Sequence, residues 1–240
     1  MLSTIPATLL ISSLVGYENN NFVKYLLCLF GFDITVQLIS RYNIGTSKYW
    51  PGATVFWQAD VHGKIRSGKI MKYDTHTGRR IKKPFNHITW VHSVLKKENF
   101  ELRQYLFGEH LLGINWHGCH NACPDNFGKL SGLPIAIAES EKTAIIASVY
   151  LPQFVWLACG SLTNLTIEKC KVLAGRHVIL FPDLNGYGRW REKAKELRSV
   201  TSVTVSNLLD RKANSPERAN GFDLADYLVR FDAEEFLDKQ

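Results

Sequence analysis

The sequence predicts an α/β protein: a C-terminal parallel sheet flanked by helices, preceded by an α+β domain with a basic β-hairpin. Two apolar runs of strand length, Pro134–Ala138 and His177–Phe181, are each followed by a carboxylate, a polar turn and a stretch of helical composition. This order is typical of parallel βαβ units, which present acids at the carboxyl ends of their strands. A third observation is the change to strand-like periodicity after Gly52, which predicts antiparallel pairing.

Composition sets the broad class of the protein. A chain of 240 residues with 45% hydrophobic content has enough apolar side chains for one large or two modest globular domains. Five scattered cysteines indicate a reducing cytoplasm rather than a secreted disulfide scaffold. We predict four parts: a helical segment at 1–50, a basic α+β domain with a linker at 51–133, a parallel-sheet domain at 134–230, and a tail at 231–240.

The first fifty residues are predicted to be helical. Ala7–Val15 is apolar, but it is too short to span a bilayer and no Lys or Arg precedes it, so we expect a helix that packs inward and no membrane partner. Asn21 is the predicted cap of the next helix, with Gly31 as its stop, and a further helix is expected over Thr35–Tyr42.

The middle of the chain is predicted to form a basic hairpin. Thr54–Asp60 and Ile65–Tyr73 have strand composition, and a tight turn joins them. Between Val61 and Lys97 there are ten basic residues and one acid, which favours a polyanionic partner, although a solvated basic surface without a ligand would show the same composition. The candidate nucleic-acid-binding residues are Lys64, Arg66, Lys69, Lys72, Arg79, Arg80, Lys82 and Lys83.

Aromatic residues lie among these cations. They could stack on unpaired bases or fill the core, and the sequence leaves both alternatives open; they are Trp57, Tyr73, Phe85 and Trp90. A helix is predicted over Asn99–Phe107, ended by Gly108. The linker that follows contains His117, Cys119, His120 and Cys123. Four ligands within seven residues are awkward to arrange tetrahedrally, so an irregular linker is favoured over a zinc knuckle and we expect no zinc.

Two acids are the candidate metal ligands. Glu139 and Asp183 each follow an apolar strand, and carboxylates at adjacent strand ends can share Mg²⁺, or Mn²⁺ in its place. Both are therefore also catalytic candidates for phosphoryl or nucleotidyl transfer. Lys142 follows the first strand, where it could approach a phosphate or remain solvated. Asn185 could coordinate the metal through its amide oxygen, but without a charge.

These stretches resemble the Toprim domain of primases, topoisomerases and some nucleases. Glu139 matches the family Glu within Glu139-Ser-Glu-Lys-Thr-Ala144, and Asp183 matches the first Asp of the family's Asp-x-Asp motif. Asn185 stands where that motif has its second Asp, which removes one anionic ligand. Gly221-Phe-Asp223-Leu-Ala-Asp226 resembles the closing acidic element, and the resemblance favours Asp223 as the further metal ligand.

The resemblance extends to primase-like proteins encoded on mobile elements of Bacteroides-type bacteria. Phe56-Trp57-Gln58 and Leu106-Phe-Gly108-Glu-His110 carry it in the first half of the chain. It implies a primase-like catalytic core that acts in the cytoplasm on single-stranded DNA and nucleotides, with a helicase or mobilisation protein as a further partner. The zinc ribbon common in that group does not precede residue 1. The alternatives are a catalytically degenerate DNA-binding module and a Toprim nuclease.

Overall fold

The computed structural model describes residues 2–113 and 132–237. Within these ranges the chain forms two compact units. The first contains the described residues up to Tyr105 together with 109–113, and the second contains Leu106–Gly108 together with 132–237. The Cys and His residues considered for zinc, between 117 and 123, lie outside the described residues.

The first unit is built on a four-stranded antiparallel sheet in the order β1-β2-β3-β4. Its strands are β1 (Ile44–Thr46), β2 (Ala53–Ala59), β3 (Ile65–Lys72) and β4 (Ile88–Trp90). The predicted hairpin is confirmed as β2 and β3, which pair with Trp57 opposite Gly68. A Cβ atom at Gly68 would lie 3.0 Å from the Trp57 ring and 2.9 Å from Val91, so a glycine is needed for close packing. The register shift lies between Gln58 and Ala59 rather than at Gly68.

Three helices accompany this sheet: α1 (Ala7–Ser13), α2 (Asn21–Tyr42) and α3 (Val91–Leu95). The predicted inward packing of the first helix is confirmed, because Leu10 is buried with Val55 and Trp57 in one apolar cluster. Ser13 at its end accepts a hydrogen bond from Trp57 Nε1 at 2.9 Å. The helix therefore contributes both apolar and polar contacts to the sheet.

Helix α2 begins one residue earlier than predicted. Asn20, not Asn21, is the cap, and its Oδ1 accepts hydrogen bonds from the backbone of Phe22 and Val23. The predicted break at Gly31 is present as a residue with φ 71° and ψ −172° inside the helix. By length and composition alone α2 could cross a membrane, and 33% of its most apolar stretch is buried inside the protein.

The helix predicted over Asn99–Phe107 is wrong. Asn99 has a φ of 53°, outside the helical region, and the residues that follow it are not helical. The backbone N–H of Phe107 instead donates to the carbonyl of Ala158 at 2.9 Å, and Ala158 N–H returns a bond at 3.0 Å. Pairing with a strand edge thus replaces the helical hydrogen bonds that local composition favoured.

The second unit contains a parallel sheet in the order β6-β5-β7-β8, which confirms the predicted fold class. Its strands are β5 (Ile135–Ala138), β6 (Val155–Ala158), β7 (His177–Phe181) and β8 (Ser202–Val205). The flanking helices are α4 (Glu141–Tyr150), α5 (Ile167–Cys170), α6 (Tyr187–Leu197), α7 (Leu208–Lys212), α8 (Ser215–Asn220), α9 (Leu224–Leu228) and α10 (Ala233–Leu237). Strands β5 and β7 are central and largely buried, so the residues that follow them emerge side by side at one edge.

Candidate active site

Glu139 and Asp183 follow the two central strands of the parallel sheet. Ala138 pairs with Phe181 in the β5–β7 register, so Glu139 comes one residue after its paired position and Asp183 two residues after. The negative charge of Glu139 is one of the influences that raise the pKa of Asp183, which places the two carboxylates in one electrostatic neighbourhood. Within the described residues, no hydrogen bond or ion pair engages the Glu139 carboxylate.

The Asp183 carboxyl group has an unusual environment. Its Oδ1 atom is buried and has no hydrogen-bond partner among the described residues. Burial raises the pKa of Asp183 to about 8, and the charges of Asp223 and Glu139 add to the effect, while Lys142 opposes it. An oxygen left without a partner in such a site costs free energy that a bound cation or proton would recover.

Lys142 joins the first strand's helix to two later acids. It lies in the first turn of α4, which Ser140 caps by accepting a hydrogen bond from Thr143 N–H at 3.1 Å. Its Nζ atom lies 3.1 Å from Asp223 Oδ2 and 3.1 Å from Asp226 Oδ1. Burial lowers the pKa of Lys142, but the two carboxylates outweigh burial and hold that pKa above its ordinary value. The sequence left this ammonium between phosphate contact and solvation, and in the structure it is buried and paired.

Asp223 and Asp226 form a capping box at the start of α9. Asp226 N–H donates to Asp223 Oδ1 at 2.8 Å, and Asp223 N–H donates to Asp226 Oδ2 at 3.3 Å. Leu184 N–H donates to the carbonyl of Phe222 at 3.0 Å, which fixes the loop after β7 beside this helix start. The resemblance selected Asp223 of the two acids. The Asp-x-x-Asp spacing is the sequence signal for this pair. At a helix start, each of two residues three apart can accept a hydrogen bond from the backbone N–H of the other.

Asn185 has a role in the backbone turn after β7. Gly186 N–H donates to the carbonyl of Asp183 at 2.9 Å, and Asn185 occupies the third turn position with a φ of 66°. Asparagine tolerates this left-handed conformation better than most residues. Its Nδ2 donates to the carbonyl of Arg218 at 2.8 Å, and the residue is exposed. Metal coordination by Asn185 stays a prediction.

The donor chemistry of the site fits a hard cation only in part. Glu139 and Asp183 supply oxygens, and one of these is the buried atom without a partner. In the described parts of the chain, no group of three or more His, Cys, Asp or Glu side chains is arranged to hold a metal ion. Asp223 is nearby, but its two oxygens are engaged by Lys142 and by Asp226 N–H. The pair of strand-end carboxylates is therefore the candidate metal-binding set.

Cys159 lies close to Glu139 and was given no role by the sequence. The thiol is buried, and its Sγ contacts the carbonyl of Ala138 at 3.6 Å. Burial raises the pKa of Cys159 far above its ordinary value, and the charge of Glu139 adds to the effect. The thiol therefore stays protonated and acts as an uncharged packing group beneath the acidic site.

The predicted nucleic-acid-binding residues of the first unit divide into two groups. Arg66 is buried, and its Nη2 and Nε atoms both lie 2.8 Å from Asp60 Oδ2. Lys69 is also buried, with its ammonium 6.0 Å from the centroid of the Trp90 ring. Lys72 is half-buried. The exposed members are Lys64, Arg79, Arg80, Lys82 and Lys83. Arg66 thus stabilises the hairpin through its ion pair with Asp60. Nucleic-acid binding by the five exposed cations stays a prediction.

The sequence left open whether four aromatic residues fill the core or stack on bases, and the structure shows that only one of the four is exposed. Trp57 and Tyr73 are buried, and Trp90 is half-buried. Phe85 is 52% exposed, with its ring stacked on His87 at 4.3 Å between centroids. Phe85 is therefore the member of the set with a ring face available to solvent.

A known protein family matches most of the chain. A family model described as a domain of unknown function, DUF6371, covers residues 20–184. The chain belongs to this family. The matched region of this DUF6371 protein includes Glu139, Lys142 and Asp183 and ends before Asp223. No match was found among curated proteins.

Three solved structures are similar to this DUF6371 chain. The primase fragment of the bacteriophage T7 primase-helicase has 15% identity and a TM-score of 0.44, over 77% of this chain and 69% of that one. A second structure shows the T7 lagging-strand DNA polymerase with gp4 primase domains bound to an RNA/DNA hybrid and dTTP. It has 15% identity and a TM-score of 0.47, over 84% of this chain and 83% of that one. The zinc-binding and RNA polymerase domains of Aquifex aeolicus primase have 13% identity and a TM-score of 0.48, over 83% of this chain and 44% of that one. At these TM-scores the likeness carries no inference about activity.

Proposed function

We propose that this DUF6371 protein is a magnesium-dependent enzyme that transfers nucleotidyl or phosphoryl groups on DNA, as a primase-like Toprim core would. One observation carries the proposal: the buried, unpartnered Oδ1 of Asp183 lies among further carboxylates at the carboxyl ends of parallel strands. Such strand ends are where open α/β sheets bind ligands. A hard cation is the ligand that this oxygen lacks, because Mg²⁺ prefers carboxylate oxygens and neutralises their mutual repulsion.

Asp183 and Glu139 would hold the cation. When bound, Mg²⁺, or Mn²⁺ in its place, would neutralise charge on a transferring phosphoryl group. Lys142 would keep Asp223 and Asp226 fixed beside the site through its two contacts at 3.1 Å. The turn through Asn185 would hold the Asp183 backbone in place. These groups position the ligands rigidly, which is what in-line transfer requires of the protein.

The substrate would be single-stranded DNA together with nucleotides. The exposed cations of the first unit would attract the phosphate backbone, and Phe85 offers a ring face on which an unpaired base can stack. We place the protein in the cytoplasm, encoded on a mobile element of a Bacteroides-type bacterium, with a helicase or mobilisation protein as a further partner. The five scattered cysteines of the sequence are in keeping with a reducing compartment.

Primer synthesis tests the proposal. The full chain is incubated with single-stranded DNA, ribonucleotides and Mg²⁺, and extended products are resolved on a gel. We expect Asp183→Asn and Glu139→Gln each to reduce synthesis by at least roughly a hundredfold, because loss of even an outer-shell partner of a metal ligand costs about 10- to 100-fold. Asp33→Asn, which removes the same charge from an exposed position on α2, is the matched control and should leave synthesis unchanged. Equal activity in all four proteins would defeat the proposal, and DNA cleavage without nucleotide incorporation would identify a Toprim nuclease instead.

A second candidate is a DNA-binding module whose metal site has decayed. The observation that favours it is Lys142, whose ammonium already neutralises Asp223 and Asp226 without a metal. This candidate requires DNA binding that weakens with salt, ignores Mg²⁺ and survives Asp183→Ala. Fluorescence anisotropy with labelled single-stranded DNA, with Mg²⁺ or with EDTA, separates it from the enzyme.

A further inference from the structure

A cleft of about 480 Å³ lies in the first unit, and residues of that unit line it. Its volume is within the range of small-molecule sites in proteins. The lining residues are of three kinds: lysines, small polar residues, and glycine or apolar residues. These are Ser12, Val15, Gly16, Asn19, Asn21, Lys24, Thr46, Ser47, Lys48, Pro51, Gly52 and Lys72.

Three lysines from separate elements converge on the cleft. Lys24 belongs to the second turn of α2, Lys48 to the connection between β1 and β2, and Lys72 to the end of β3. None of the three forms an ion pair with any described residue. Three cations line this cleft without an acid among the lining residues, so their combined positive potential would stabilise a bound anion.

No acid lines the cleft in the described part of the chain. Glu18, in the adjoining 3-10 turn, is exposed and accepts a hydrogen bond from Asn19 Nδ2 at 2.9 Å. Asn21 lines the cleft and donates through its Nδ2 to the carbonyl of Tyr73 at 2.7 Å. These hydrogen bonds fix the side chains of Asn19 and Asn21 in the lining. The charged residues that line the cleft are all lysines.

We infer that this cleft binds a free nucleoside triphosphate through its phosphate groups. The three ammonium groups match a polyphosphate, which carries several charges over a short length. The volume exceeds what a triphosphate alone requires, and Val15 and Pro51 provide apolar surface for a sugar or base. The cleft shares no residue with the carboxylate site of the second unit, and the proposed binding needs no divalent metal. It therefore stands or falls independently of the proposed enzyme activity.

Isothermal titration calorimetry on the full chain tests this inference. The titrations use ATP, inorganic triphosphate and a short oligothymidylate without a 5′ phosphate, all in EDTA. They are run in an Asp183→Asn background, which removes a carboxylate of the other site. We expect ATP and triphosphate to bind with micromolar to millimolar dissociation constants. The Lys24→Ala/Lys48→Ala double variant should weaken both by at least about tenfold.

The matched control is Arg211→Ala/Lys212→Ala, which removes the same number of positive charges from exposed positions outside the cleft. Because Lys24 and Lys48 are exposed, truncating them should leave the fold intact, which circular dichroism checks. Unchanged binding in the control with loss in the cleft variant supports the site. Equal loss in both variants, no binding at all, or binding of the oligonucleotide without ATP would each overturn it.

Discussion

Lys142 Nζ lies 3.1 Å from Asp223 Oδ2, so the helix after the first parallel strand is bonded to the cap of a helix far along the chain. Asp226 accepts from the same ammonium at 3.1 Å. Both acids also form the capping box of α9. The Lys142 ammonium therefore stabilises the capped start of this helix through its two ion pairs. The acidic site is therefore assembled around a lysine before any ligand enters.

Replacing this lysine should destabilise the fold. Lys142→Met leaves two partly buried carboxylates without a cation, and we expect the free energy of unfolding in urea to fall by roughly 3 kcal/mol. Lys212→Met, an exposed lysine of the same unit, is the control and should change it by less than about 0.5 kcal/mol. If both variants unfold at the same urea concentration, the Lys142 ion pairs contribute nothing to stability.

Stability without metal should depend on the protonation of Asp183. Its pKa is raised in the folded state to about 8 from 3.8, so the folded protein keeps a proton that the unfolded chain has lost between these values. The associated stability is complete below pH 3.8 and is lost as the pH rises through 8. Asp183→Asn lacks this dependence. We expect its stability relative to the wild type to increase by roughly 4 kcal/mol between pH 5 and pH 8, because each pH unit in this range contributes about 1.4 kcal/mol; urea unfolding in EDTA measures it.

Divalent cations should stabilise the wild-type protein. At a hundred times the dissociation constant, Mg²⁺ or Mn²⁺ should add about 2.7 kcal/mol to the stability of the folded state. Asp183→Asn and Glu139→Gln should abolish this gain in a thermal-shift titration. An undiminished shift in both variants would place the cation elsewhere. Asp33→Asn reports any loss due to charge alone.

Position 185 can be tested by three substitutions. Asn185→Gly keeps the left-handed turn and removes the amide, so stability should change by less than about 0.5 kcal/mol if the turn is the residue's main role. Asn185→Ala should cost about 1 kcal/mol through backbone strain. Asn185→Asp should strengthen Mg²⁺ binding in calorimetry, because it returns a carboxylate. Weaker Mg²⁺ binding in Asn185→Gly would instead show that the amide is a ligand.

Arg66 should behave as a structural residue. Arg66→Met leaves Asp60 buried without its partner and should cost roughly 3–5 kcal/mol of stability. Lys83→Met, at an exposed position, should leave stability unchanged. If Lys83 contacts DNA phosphate, the slope of log binding constant against log salt should fall by about 0.7 for single strands. A normal unfolding curve for Arg66→Met would remove the structural assignment.

The sequence could predict the hairpin strands β2 and β3, the central strands β5 and β7, and the positions of Glu139 and Asp183, whereas β1 lies in the segment predicted to be helical. Apolar runs bounded by turns report burial directly, and parallel strand ends necessarily meet at one edge of a sheet. The helix expected over Asn99–Phe107 was wrong, because Phe107 pairs with Ala158 and this tertiary hydrogen bonding overrides local propensity.

Other parts of the sites depend on contacts that no local pattern reveals. Arg66 appeared as one cation among many, and only the folded hairpin turn places the Asp60 carboxylate against it. The pairing of Lys142 with Asp223 and Asp226 joins residues far apart in sequence. Of the three lysines of the cleft, Lys24 and Lys48 fall in the predicted helical segment at 1–50 and Lys72 in the basic domain, and no local pattern predicts that they line one cleft.

Gly31 has a consequence for the apolar helix α2. Its non-helical backbone interrupts the spiral of peptide dipoles midway, and the hydroxyl of Thr35 bonds its carbonyl at 2.6 Å. The interruption therefore divides α2 into two helical segments, and Phe32, directly after it, presents an apolar ring to solvent at the junction.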